Sequence, residues 1–349
     1  MPRVTVLMSA YNAGAYLEPA MASILHQTYR DFEFLIVNDG STDGSTETLR
    51  GYAARDSRII LVEQTNQGLT ASLNRGLGMA RGKYVVRMDA DDVSRPERLN
   101  NVCDFFERNP TVDLVGTGMH CFSDGDPGVD CLPPWLTHEK IAAQLLFRNS
   151  IAHPTVAFRR ARLSETGLAY SPEFVHAEDY ELWERASGTL LLCNLPKVTV
   201  DRRVHNKSVT QNSYDEMCAT ACRVSHRALA RLQLRSAEDQ LTQAAIHQSG
   251  RGPEPQVGVV KAVHLLARIE QRNLASNIYT PVALRAVLSR ELCRLVEWPR
   301  GHSVRDAMII FASPLFNAKY WTKKQCARLL FHACRRGSRP AEQSGDSNI

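Results

Sequence analysis

Residues 84–92 read Tyr84-Val85-Val86-Arg87-Met88-Asp89-Ala90-Asp91-Asp92. A short β-type run passes at once into three carboxylates within four residues, so the chain leaves an apolar layer and arrives at a strongly acidic point. The same passage from strand to polar turn recurs upstream. Val4–Leu7 leads to Ser9-Ala10-Tyr11-Asn12, and Phe34–Val37 leads to Asn38-Asp39-Gly40-Ser41-Thr42-Asp43. Further strands are read at Ile59–Val62 and Leu114–Gly116. Between them, apolar residues recur at helical spacing: Leu17, Met21 and Ile24; Leu69, Leu73 and Leu77; Leu99, Val102, Cys103 and Phe106. This alternation predicts an α/β domain with a mostly parallel sheet flanked by helices. Ligands of such sheets bind beyond the carboxyl ends of the strands, so three strand ends are expected to converge on one acidic crevice.

From about 117 to 215 the pattern is irregular and punctuated by Pro127, Pro133, Pro134, Pro154 and Pro172, and it reads as the second half of the same domain, residues 1–215. Beyond Asp215 the chain turns rich in Ala, Leu, Arg and Gln, which predicts a helical C-terminal region over 216–336. Gly250-Arg251-Gly252-Pro253-Glu254-Pro255 reads as a linker and 337–349 as a disordered end. An apolar fraction of 44% and a charged fraction of 23% over 349 residues suit a globular enzyme and exclude wholesale disorder.

The net charge of +5 is uneven, with eight Lys or Arg against Asp306 alone in residues 301–340. In 306–336, Ile309, Ile310, Phe311, Leu315, Phe316 and Trp321 lie among Lys319, Lys323, Lys324, Arg328, Arg335 and Arg336. Docking on an anionic membrane surface is one expectation for this stretch, and a helical pair packed on the catalytic domain is the other. The nine cysteines lack paired C-x-x-C spacing and read as reduced thiols. No signal-peptide pattern opens the sequence, and no apolar run approaches the roughly 18 residues that span a bilayer. A cytoplasmic protein, peripheral at the inner face of the membrane, is expected, with no nucleic-acid partner.

Three clustered carboxylates repel one another, and a shared cation holds them together most readily. Oxygen donors suit Mg²⁺ or Mn²⁺. The alternative for Asp89, Asp91 and Asp92 is an acidic turn before the helix that starts near Pro96 and Glu97. Asp43 has an ordinary role open to it as the N-cap of the next helix. Asp39 lacks one, and after a buried strand it could accept a hydrogen bond from a base N–H while Tyr11 stacks on the same ring. Glu178-Asp179 reads either as a surface acid pair at a helix start or as the site of a general base. His205 by itself is more often structural than a ligand. Gly76 to Gly82 ends a helix, so it is no dinucleotide fingerprint, and no G-x-x-x-x-G-K-[ST] occurs.

The runs Val4 to Asn12, Leu35 to Ser45, Asn66-Gln67-Gly68-Leu69, Arg87 to Asp92, His153-Pro154-Thr155, Glu178 to Trp183 and Arg203 to Ser208 resemble, in that order, the family 2 glycosyltransferases. The resemblance covers roughly 3–210. It implies the GT-A fold, a nucleotide-sugar donor, an inverting transfer and a metal ion. It places Asp39 on uracil, Asp89 at the ribose and metal environment, Asp91 on the metal, Asp179 as catalytic base and His205 near the diphosphate and metal. Ser9, Tyr11, Asn12, Asn66, Gly68 and Ala90 fall in its donor-contacting runs. No Q-x-x-R-W follows Glu178-Asp179, so the resemblance points to single additions rather than to a processive synthase. The implied acceptor is a sugar or lipid-linked hydroxyl in surface polysaccharide or lipid-linked oligosaccharide assembly. Two other classes stay open at this point: a nucleotidyltransferase, which would release pyrophosphate, and a non-catalytic sugar-binding protein.

Overall fold

The computed structural model describes residues 1–205, 213–247, 257–297 and 303–317, with single positions at 319, 322, 325, 327 and 329. The chain divides into two compact units, Met1–Val224 and Ser225–Ile349.

The first unit opens with strands β1 (Val4–Ala10) and β2 (Phe32–Asn38), whose residues are buried almost throughout. Near-continuous apolar runs of this kind belong to parallel strands covered on both faces. Helix α1 (Leu17–Leu25) joins them, α2 (Ser45–Ala53) leads to β3 (Ile59–Glu63), and α3 (Leu69–Met79) leads to β4 (Tyr84–Asp89). β1 lies between β2 and β4, and all three run parallel. The registers Ala10↔Asn38 and Ser9↔Asp89 bring their carboxyl ends level. Because the chain moves outward from β1 through β2 to β3 and then returns to β4 on the other side, β1 stands at a topological switch point.

The second half extends the sheet with antiparallel pairings. Short β5 (Val93–Ser94) precedes α4 (Arg98–Arg108), which buries Leu99, Val102, Cys103 and Phe106 as their spacing predicts. Then come β6 (Leu114–Ser123), β7 (Asp126–Cys131), α5 (His138–Gln144), β8 (Ala157–Arg159), α6 (Arg160–Glu165), α7 (Glu178–Ala186) and β9 (Leu192–Arg203). The sheet order among the described residues is β3-β2-β1-β4-β8-β6-β9-β5, with β7 hairpinned onto β6. β9 escapes a sequence reading because Pro196 and polar residues interrupt it, and its pairing with β6 shifts register on either side of Gly118. The core packs Val6, Met8, Phe34, Ile36, Val86 and Met88 from the sheet against Met21 and Ile24 of α1 and Leu99 and Phe106 of α4.

Helix α8 (Tyr214–Arg231) contains the division between the units. The second unit is helical where described: α9 (Ala237–His247), α10 (Val259–Ser276), α11 (Pro281–Arg294) and α12 (Val304–Ala312). In it, buried Asp239 pairs with Arg268 at 2.6 Å. The Asn273 amide closes the α10–α11 turn by bonding both backbone groups of Tyr279. No helix among the described residues is long and apolar enough to cross a membrane. Residues 206–212, the expected linker at 250–255, Trp321, the cations at 323, 324, 328, 335 and 336, and the expected disordered end lie outside the described residues.

Gly40 sets how the end of β2 meets its neighbour. Its φ is +75°, and a Cβ there would sit 2.8 Å from the backbone N of Asn66. Gly40→Ala is therefore expected to lower stability by about 1–3 kcal/mol in denaturant titration, through both backbone strain and the clash.

Candidate active site

At the end of β4 the three carboxylates expected from the sequence come together, each offering an oxygen within 4.8 Å of the others. Asp89 and Asp91 are partly exposed, whereas Asp92 is buried at 2% exposure and accepts a hydrogen bond from Arg203 N at 2.9 Å. Asp92 is thus the anchor between this turn and the end of β9. His205 arrives from the same strand end, with Nε2 3.0 Å from Asp91 Oδ2 and its ring 4.7 Å from that of Tyr16. The Arg203 guanidinium lies over the Tyr16 and Phe122 rings. Ala90 is buried between Asp89 and Asp91.

The electrostatics match so much negative charge in one place. Burial pushes the Asp89 carboxyl up, its contact partner Arg87 opposes the rise, and Asp91 adds to it. Burial carries Asp92 well above the usual carboxylate range, reinforced by Asp89 and Asp91. Hard oxygen donors at this spacing fit a divalent Mg²⁺ or Mn²⁺, whose charge would relieve the same repulsion.

The residues expected on the donor side lie at or near the neighbouring strand ends. Ser9 is in register with Val37 and Asp89. Tyr11 is 53% exposed, so one ring face is open to a partner. Asn12, in the left-handed region at φ 49°, accepts from Thr42 N at 2.8 Å and donates its own N–H to Ser41 Oγ. Asp39 is buried and already holds a loop. Its Oδ1 accepts from Gln64 Nε2 and Gln67 N, and its Oδ2 from Gly68 N at 2.8 Å. An ionised carboxylate has about four lone-pair sites, so three accepted bonds leave room for one more donor. Exposed Asn66 lines a groove of about 580 Å³ with Asn38, Gly40 and Gln64, and is the only expected site residue that does so. Asp43 is not the cap of α2. Gly44 holds that position at φ 91°, and Asp43 instead ties Gly14 N to Ser45 N, because only the glycine tolerates the backbone there.

The second acidic pair opens α7. Glu178 is not a surface residue; it is 8% exposed, and Glu181 and Glu184 of the same helix are buried with it. Asp179 Oδ2 accepts from Asn149 Nδ2 at 2.7 Å and Oδ1 from Tyr180 N at 2.6 Å. Burial and the adjacent Glu178 push Asp179 up to about 7, while the Tyr180 N–H, Arg87 and Asn149 hold it from rising further. A carboxyl balanced at that value can take a proton near neutral pH.

Sequence reasoning assigned nothing to Arg87, Arg98, Asn149 or Tyr170. Arg87 is 4% exposed, and its charge acts on Asp89, Asp92, Glu178 and Asp179. A lone cation inside Tyr84-Val85-Val86-Arg87-Met88 was the available signal, since a buried arginine needs an anion nearby. Fully buried Arg98 donates to Arg87 O at 2.7 Å and to Pro154 O at 2.8 Å. Burial holds His153 well below its usual range, and its Nε2 meets the Tyr170 hydroxyl at 2.9 Å.

Comparison with known proteins agrees with this arrangement. Residues 5–168 match the family described as Glycosyl transferase family 2. An uncharacterized glycosyltransferase of Haemophilus influenzae is 32% identical over 232 residues, spanning 64% of this chain and 72% of that one. The O-antigen biosynthesis glycosyltransferase WbnJ of Escherichia coli is 32% identical over 215 residues, 60% of this chain and 82% of its own. S. aureus TarS 1-349 in complex with UDP-GlcNAc superposes with a TM-score of 0.58 at 17% identity, over 96% of this chain and 92% of that one, a likeness of fold. That fold is GT-A, and with acidic strand ends, a partly parallel sheet and relatives matched over most of their length, the chain belongs to glycosyl transferase family 2.

Proposed function

We propose that this protein is an inverting, metal-dependent glycosyltransferase that takes a UDP-sugar and adds one sugar per binding event to an acceptor hydroxyl. The observation that carries this reading is Asp179, a hydrogen-bonded carboxyl pushed up to about 7, under the influence of the same Arg87 that contacts Asp89 at the acidic strand end. TarS, of similar fold, is bound to UDP-GlcNAc, which supports a uridine donor here.

In this reading the base of the donor lies between Tyr11 and the lone pair left on Asp39, the ribose lies near Ser9 and Asp89, and Asn12, Asn66, Gly68 and Ala90 shape the surrounding backbone. Asp91, with Asp89 beside it and His205 at 3.0 Å, would hold Mg²⁺ or Mn²⁺. When bound, the ion supplies Lewis-acid neutralisation of charge on the departing diphosphate. Asp179 takes the proton of the acceptor hydroxyl. The acceptor oxygen forms its bond to the anomeric carbon as the bond to UDP breaks, and the electron pair leaves on the UDP oxygen. One displacement inverts that carbon. Release of UDP separates this reaction from nucleotidyl transfer, which releases pyrophosphate, and turnover of labelled donor separates it from a silent sugar-binding protein. The proposed acceptor is a sugar or lipid-linked hydroxyl in polysaccharide assembly, met where the basic stretch of 306–336 docks on an anionic membrane. Sedimentation with anionic vesicles at low salt, absent from zwitterionic ones, is the expected result, and failure to sediment removes the docking idea.

Asp91→Asn is expected to weaken Mn²⁺ binding in calorimetry while the melting temperature stays put, because Asp91 is partly exposed; Asp92→Ala should instead destabilise the fold, because it removes the buried acceptor of Arg203 N.

Asp179→Asn should cut transfer by roughly 10²–10⁴-fold and leave UDP affinity nearly unchanged. Glu178 raises the Asp179 pKa, so Glu178→Gln should lower it. A base is active when deprotonated, so the rising limb of transfer against pH should then move to lower pH. A limb that stays fixed in Glu178→Gln would remove Asp179 as the titrating base.

A further inference from the structure

Asn149 is placed by two hydrogen bonds that leave its amide one orientation. Its Oδ1 accepts from Ile151 N at 3.1 Å, which only the carbonyl end can do, so Nδ2 is the end that points at Asp179 Oδ2, 2.7 Å away. The segment that carries it is fixed along its length. Leu145 O accepts from the Tyr180 hydroxyl at 2.7 Å, Ser150 O from Asn194 Nδ2 at 3.0 Å and Pro154 O from Arg98 Nη2. Thr155 Oγ1 accepts from Thr117 N, and Val156 O from Arg87 N, each at 3.0 Å. An amide on so constrained a backbone keeps its place as the carboxylate beside it gains or loses a proton.

We infer that Asn149 is a positioning residue for the base: its amide N–H holds one Asp179 oxygen in place and leaves the carboxylate a defined direction from which to receive the acceptor proton. The inference rests on Asp179 being that base. The two oxygens divide the work, since Oδ1 is turned toward the start of α7 by Tyr180 N and Oδ2 toward the 145–156 segment by Asn149. The carboxylate plane is thereby fixed from two different elements, and with two bonds accepted, lone pairs remain on Asp179 for the acceptor proton. Only a donor serves at this position. An acceptor in the place of Nδ2 would set lone pair against lone pair when Asp179 is ionised.

The same bond bears on the charge. The groups that act on Asp179 are Glu178 beside it on α7, the Tyr180 N–H, Arg87 from β4 and Asn149; the Tyr170 hydroxyl is itself shifted upward by burial and by this acidic pair. Asn149 acts with Arg87 and against Glu178, because a hydrogen bond donated to the ionised form favours that form. A purely structural Asn149, one that only closes the turn to Ile151, would leave the base's titration alone.

The test uses the full-length protein labelled with ¹³C at the aspartate carboxyls, with the Asp179 signal identified by its loss in Asp179→Asn. Asn149→Ser retains a hydroxyl that can accept from Ile151 N but is too short to reach Asp179, and Asn149→Asp retains the shape while replacing the donor by a carboxylate. The Asp179 midpoint should rise in Asn149→Ser and rise further in Asn149→Asp. Turnover of a UDP-sugar at neutral pH should fall by about 10- to 100-fold in Asn149→Ser, the contribution typical of a hydrogen bond to a charged group, with the donor KM unchanged. Midpoints equal to wild type in both folded variants overturn the inference. Should Asp179→Asn turn over donor at the wild-type rate, it is the assignment of the base that fails, whatever the Asn149 variants show.

Discussion

A carboxylate at the end of a buried parallel strand needs a counter-charge, and in this chain the first one is Arg87. Asp89 follows it by two residues on β4, so the two side chains share a face of the strand and meet directly. Without that contact, three carboxylates with oxygens within 4.8 Å of one another would have to be neutralised by protonation or would force the turn apart. With it, Asp92 can be buried as a backbone anchor for Arg203 while Asp91 stays partly exposed beside His205. Arg87 is in turn held from below, since Arg98 binds its carbonyl and Val156 accepts from its amide. Two buried guanidiniums so close repel. Burial, and after it the neighbouring Arg87, lower Arg98 to about 9, and Asp92 and Asp89 oppose that fall.

The same cation acts on the acidic pair that opens α7. Glu178 and Asp179 both rise because of burial, and Arg87 holds both down. Among the described residues, it is Asp179 that a side-chain amide reaches, that of Asn149. Adjacent carboxyls in one pocket cannot both ionise freely, so Glu178 makes its neighbour a stronger base at neutral pH than an exposed aspartate would be. Charge at the strand-end carboxylates and charge at Glu178 and Asp179 are therefore not independent quantities; Arg87 acts on both.

Much of this could be read in advance where the signal was local. The strands at 4–7, 34–37, 59–62 and 84–88 showed themselves as buried β-branched runs, and their ends displayed Asp39, Asp89 and Asp91 because polar residues after such runs stand out. Spacing along α4 marked Leu99, Val102, Cys103 and Phe106 as one buried face. What stayed hidden was produced by long-range pairing. β9 is interrupted by Pro196 and takes its register from β6, so no periodicity within it announces a strand. Asp43 offered the chemistry of a cap, but Gly44 with its positive φ took the position. Glu178 could be read as a surface acid or as part of a general-base site, because its own helix is short and highly charged, and only the packing around it shows the burial.

Asn149 is the sharpest instance of a residue invisible to local reading. It sits in Arg148-Asn149-Ser150-Ile151, thirty residues from Asp179, and an asparagine there is compatible with any loop. Its meaning comes from the pairing of β8 with β4, which carries the preceding segment across the carboxyl end of the sheet. Val156 then bonds Arg87 N, so the backbone that presents Asn149 to Asp179 is continuous with the strand that presents Asp89 to Arg87. A change in the 145–156 segment would thus be felt at both acidic sites at once. The acidic strand end and the acidic pair on α7 lie far apart in the sequence, but one stretch of backbone joins them in the structure.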